Sequence, residues 1–60
     1  MRGIDKLKTG DFNDMSQKQL PDGSIKITLA KRGEGKRYIL VVKDLYGPDE
    51  KVISEEVIEA

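Results

Sequence analysis

The chain contains no cysteine, no histidine and no tryptophan. Without cysteine there is no disulfide to staple a small fold. Without cysteine or histidine the ordinary ligands of a structural zinc site are missing too. Histidine is also the side chain that titrates near neutral pH, and cysteine the most readily activated nucleophile, so acid–base and covalent catalysis lose their usual carriers. Ser16, Ser24 and Ser54 have no evident partner base. A short chain offers little room for a water-excluding cleft, and the protein is read as not an enzyme, with no catalytic residues, cofactor or metal.

Aromatic residues are almost as scarce: Phe12, Tyr38 and Tyr46 are the whole set. No apolar run approaches the length needed to span a bilayer. The first ten residues are polar and lack the apolar core of a secretory signal, which makes the cytoplasm the default expectation. With 60 residues there is one domain, and a chain of that size buries only about 60% of its unfolded surface. Since disulfides and metal are excluded, association with another copy or another protein is the remaining common source of extra stability.

Charge is plentiful but balanced, with 11 basic and 11 acidic side chains. Net charge is zero, so no overall field draws the protein to nucleic acid or membrane. The two signs are nonetheless segregated along the chain. Residues 1–37 hold nine Lys or Arg against five Asp or Glu, and residues 38–60 hold two against six. Such a split suits head-to-tail self-association or a dipolar surface, and is equally compatible with simple solubility.

The organising stretch is Ser24 to Asp44. Ile25, Ile27 and Leu29 alternate with Lys26, Thr28 and Ala30, the period of a strand with one covered face. Tyr38-Ile39-Leu40-Val41-Val42 is a second run of strand length. Between them Gly33 and Gly35 supply the positive φ that a tight reversal needs. Upstream, Leu20-Pro21-Asp22-Gly23 is a turn signal. A reversal there implies a partner strand before it, which places a polar edge strand at roughly 14–20. Downstream, Gly47-Pro48 marks another reversal. The tail from Lys51 reads as a strand with four β-branched apolar residues and a bulge near Ser54–Glu55, although apolar positions 52, 53 and 57 also fit a helical period. Residues 1–11 carry only Ile4 and Leu7 as helix-spaced apolar positions, and are expected to be a flexible or loosely docked arm. The fold class is therefore all-β or β-rich: a three- to four-stranded antiparallel meander, with room for a short terminal helix.

Five consecutive apolar residues from Tyr38 to Val42 put apolar side chains on both faces of one strand, and a lone small sheet has little to cover either. Self-association through the sheet, using Ile27, Leu29, Leu40 and Val42, resolves this. The alternative is a self-closed monomer roofed by Ile4, Leu7 and Phe12. The leading functional expectation is accordingly a non-enzymatic protein-interaction module forming a homodimer or higher oligomer.

The second expectation comes from the hairpin tip, where Lys31, Arg32, Lys36 and Arg37 crowd around a single Glu34. Such a tip can meet a phosphate backbone, with Tyr38 stacking on a base; the plain alternative is a charged tip that keeps the hairpin soluble. Gly33-x-Gly35 lacks the third glycine and following helix of a dinucleotide loop. Asp11, Asn13 and Asp14 resemble only the opening of a calcium loop, lacking its glycine and closing glutamate. Asp44, Asp49 and Glu50 read as ordinary turn carboxylates. Tyr46 reads as a lid over a strand end, with an interface role as the alternative. A third possibility is a fragment or partner-dependent subunit of a larger assembly.

Overall fold

A computed structural model of the protein describes residues 2–59. One short helix, α1 (Gly3–Thr9), is followed by four strands: β1 (Asp14–Gln19), β2 (Ile25–Ala30), β3 (Lys36–Lys43) and β4 (Lys51–Glu59). The strands form one antiparallel sheet in the order β1-β2-β3-β4, a β-rich meander in which each strand pairs with its neighbour in sequence. The turn glycines behave as the sequence requires: Gly33 and Gly35 lie at φ 89° and 69°. The tail is strand, and its irregularity falls close to the expected place. Val41 pairs with Ser54 while Val42 pairs with Val52, so Ile53 is the extra residue of a bulge.

The N-terminal segment is not a loose arm. It forms α1, closed by Gly10 at φ 74°, whose N–H donates to the Lys6 carbonyl. Seven residues cannot hold a helix alone in water. This one is held because Ile4 and Leu7 are buried against the sheet. Removing two such side chains from water contributes roughly 1.5–3 kcal/mol each, which offsets the cost of ordering two turns.

Register divides the sheet into two faces. Ile27 pairs with Leu40, and Leu29 with Tyr38, so these side chains share the face beneath α1. There Ile27, Leu29, Leu40 and Val42 are 0% exposed and form the core with Ile4, Leu7 and Tyr38. Phe12, Ile25, Leu45 and Val52 pack around this cluster. This placement corrects the expected interface: the four residues assigned to self-association are consumed by the chain's own core. The N-terminal segment expected to close a self-contained monomer through Ile4, Leu7 and Phe12 does so as a helix, and it covers one face of the sheet. Ile39 and Val41 point from the other, where no helix or loop among the described residues covers them and both remain half-buried.

Candidate functional site

The hairpin tip is less free than its composition implies. Lys31 is ion-paired to Asp11. Glu34 is turned inward, with its Oε2 accepting from Lys6 Nζ at 2.7 Å and its Oε1 accepting from the Tyr38 hydroxyl at 3.1 Å. Lys6 also donates to Asp11 Oδ2 at 3.3 Å and lies 5.2 Å from the Tyr38 ring centroid. This cluster fastens α1 to the tip. Hydrogen bonding from Lys6 holds the Glu34 carboxyl below the ordinary range, and Lys31 followed by Lys6 does the same for Asp11. The Glu34 hydrogen bond raises the Lys6 ammonium against the opposing effect of its burial.

Two consequences follow for the residues singled out from the sequence. Tyr38 is buried, with its ring under a lysine and its hydroxyl engaged, so it is not placed to stack on a base. Of the basic tip, Arg32, Lys36 and Arg37 are exposed and outside any ion pair among the described residues.

The same sorting holds for the whole molecule. On the helix side Arg2 pairs with Glu55, Lys6 with Asp11 and Glu34, and Lys8 with Glu50. The uncovered face is different. Lys18 stands directly opposite Lys26 across β1 and β2, and Lys43 directly opposite Lys51 across β3 and β4. Lys26 pairs with Val41, so Lys43, two residues on, is its diagonal neighbour on the same face. The four lysines thus cross the sheet as a slanting row. All are exposed, and none enters an ion pair among the described residues. At strand spacings of about 4.8 Å the row spans roughly 14 Å from β1 to β4.

Arg37 joins the same face opposite Ala30 and Ile58. Asp14 and Glu56 are its strand carboxylates. Between the charges lie Thr28, Ile39 and Val41, half-buried in the middle of the sheet. At the Lys43–Lys51 end a broad cleft of about 580 Å³ is lined by these two lysines with Gly23, Asp44 and Asp49. The carboxylates of the neighbouring turns are partly occupied by backbone: Asp22 Oδ1 accepts from the Ser24 N–H at 2.9 Å, and Asp44 Oδ2 from the Asp49 N–H at 3.0 Å.

Like charges directly opposite one another weaken a ladder. Two such pairs on one uncovered face, beside a helix side where Arg2, Lys6 and Lys8 are paired, make this the most distinctive electrostatic feature of the molecule. Residue counting misses it, because the row exists only once the register is known. A partial signal is present in the sequence: Lys26 alternates with Ile25 and Ile27 and must therefore oppose the apolar face.

The turn carboxylates do not gather into a cation site. Among the described residues no group of three acidic side chains is placed to hold a metal ion. Glu50 accepts from Lys8 Nζ at 2.6 Å and from the Tyr46 N–H at 3.0 Å, and both hold its carboxyl below the ordinary range. Tyr46 itself is 67% exposed, so it does not cap a strand end as a lid. No helix among the described residues is long and apolar enough to cross a membrane. Comparison with known protein families, curated proteins and solved structures finds no match.

Proposed function

We propose that the protein is a non-catalytic binding module whose uncovered sheet face holds the phosphate backbone of a nucleic acid without reading its sequence. One observation carries this reading: Lys18 opposite Lys26 and Lys43 opposite Lys51, all exposed and outside any ion pair, on a face that no element among the described residues covers. A sequence that accepts mutual repulsion at two adjoining positions departs from local optimisation, and such departures concentrate where function demands them. A row of anions laid across the lysines relieves the repulsion and releases condensed counterions.

The same charges disfavour packing this face against its own copy, since five cations would meet five cations. With Tyr38 buried, no aromatic side chain stands among the strand residues of this face, so contacts to phosphate rather than to bases are what it offers. Arg32 lies at the tip beyond Arg37, while Lys36 is on the opposite face, across from Glu59.

Fluorescence anisotropy with labelled single- and double-stranded oligonucleotides at graded salt tests the proposal. Four phosphate contacts on a duplex give a slope of log K against log salt of about −3.5, and each lysine removed lowers its magnitude by about one. Lys26→Ala with Lys43→Ala weakens binding more than Arg32→Ala with Lys36→Ala. Absence of binding at low salt, or equal binding of the first double variant and the wild type, refutes the reading. Binding of poly-glutamate as tight as that of oligonucleotide at equal salt replaces nucleic acid with an acidic protein.

A further inference from the structure

A meander has two outer edges, and here they differ in kind. The β1 edge is six residues, polar apart from Met15. Such an edge resists pairing with other strands. The β4 edge is nine residues and carries Val52, Ile53, Val57 and Ile58. Among the described residues, Ile53, Val57 and Ile58 account for three of the five large hydrophobic side chains left exposed, at 50%, 48% and 41%. The unused pairing capacity and the unburied apolar surface therefore fall on the same strand.

The β4 sequence is also complementary to itself when reversed. Reading Lys51-Val52-Ile53-Ser54-Glu55-Glu56-Val57-Ile58-Glu59 against its own reverse sets Ile53 beside Val57, Ser54 beside Glu56, and Glu55 beside itself. The bulge at Ile53 displaces the Lys51 end by one position, so Val52 meets Val57 on the helix face and Lys51 meets Ile58 on the other, with Glu59 next along the strand. The one like-charged pair is at the centre, and it is already attenuated. Glu55 Oε1 accepts from the Gly3 N–H at 2.9 Å, and Glu55 Oε2 lies 3.8 Å from Arg2 Nε.

From these observations we infer that two copies of the chain pair edge to edge through β4, antiparallel, about a two-fold axis passing beside Glu55. The axis stands perpendicular to the sheet. The product is a continuous eight-stranded sheet with both α1 helices on one side and both lysine rows on the other. This arrangement leaves the Ile27, Leu29, Leu40 and Val42 core closed in each copy. The contact is a single strand wide, short of the roughly 800 Å² per partner of a standard interface, so weak association is expected. The inference does not depend on nucleic-acid binding, since it rests on the edge rather than on the lysine face.

The absence of cysteine makes the test clean. Residues opposed at such an axis have Cα atoms about 4.5–5.5 Å apart, inside the window a disulfide can bridge. Mild oxidation of Glu55→Cys is expected to give covalent dimer, with Ser16→Cys on the β1 edge staying monomeric. An equimolar mixture of Ile53→Cys and Val57→Cys is expected to cross-link faster than either variant alone, which fixes the register. Light scattering of the cysteine-free wild type is expected to show dimer growing between about 10 µM and 1 mM. Val57→Lys, at an exposed position, remains monomeric with an unchanged circular dichroism spectrum. A wild type that stays monomeric across that range overturns the inference. So does cross-linking of Ser16→Cys at a rate equal to or above that of Glu55→Cys.

Discussion

Gly3→Ala sets two opposing effects against each other, and the structure decides between them. Gly3 opens α1 and is buried. A methyl group there would lie 2.7 Å from Leu40 Cδ2, 3.3 Å from Leu40 Cγ and 3.1 Å from Glu55 Oε1. Alanine favours the helix and removes glycine's freedom from the unfolded chain, together worth about 0.5–1 kcal/mol at a first-turn position. Against this, Leu40 is 0% exposed and seated opposite Ile27 and Glu55, so its methyl has no free volume to enter. Overpacking at such a site costs about 1–3 kcal/mol. The clash wins, and the net expectation is a loss of about 1 kcal/mol, read as a fall in melting temperature of about 4–8 °C for a domain this small. Urea titration followed by far-ultraviolet circular dichroism measures it, with the m-value unchanged. Leu40→Val, which removes part of the obstructing side chain, is expected to cost less in the Gly3→Ala background than in the wild type by at least about 0.5 kcal/mol. Equal or greater stability of Gly3→Ala, or strict additivity in the cycle, refutes the argument that α1 rests on Leu40 through a gap only glycine leaves.

Two further expectations concern charge. Asp11, Glu34 and Glu50 titrate below their ordinary range in the folded protein because of Lys31, Lys6 and Lys8. Their contribution is complete above about pH 5 and disappears as pH falls through the lowered folded values. Lys6 and Lys8 are raised, so their contribution is lost only as pH climbs above their ordinary value of 10.5. The urea midpoint is therefore expected to be flat between about pH 5 and 10 and to decline below about 4, less steeply in Glu34→Gln; a midpoint constant down to about pH 2.5 contradicts the ion-pair clasp. Lys26→Thr removes one member of the Lys18–Lys26 pair, and thermal melts are expected to show a gain of a few tenths of a kcal/mol as oligonucleotide affinity falls. A loss of stability with affinity intact contradicts the assignment of that row to binding.

The strand plan is legible in the sequence because turns and alternation are local. Pro21-Asp22-Gly23 and Gly33-x-Gly35 fix two reversals, and once these are placed the polar segment before the first must pair with β2. What the sequence conceals is whatever depends on distant partners. Helix α1 has two apolar residues and poor prospects alone; its reasons for existing are Leu40, Glu34 and Glu55, the last of them 52 positions from Gly3. For the same cause the apolar run 38–42 is misleading about association. Its even-numbered members are taken up by a roof that local propensity does not reveal. The basic tip is misleading in the opposite way. Its charges look free in the sequence, yet Lys31 is bound by Asp11 and Glu34 is withdrawn toward Lys6. The lysine row emerges only from register, since Lys18 and Lys26 become neighbours through one turn and Lys43 and Lys51 through another.

The Gly3–Glu55 hydrogen bond ties the first helix to the last strand. During synthesis the roof emerges first and has nothing to rest on until β3 has followed it, and its final tether waits for β4. A chain lacking residue 55 would lose this tether and leave α1 held by Ile4 and Leu7 against the sheet and by Lys6 at the hairpin tip.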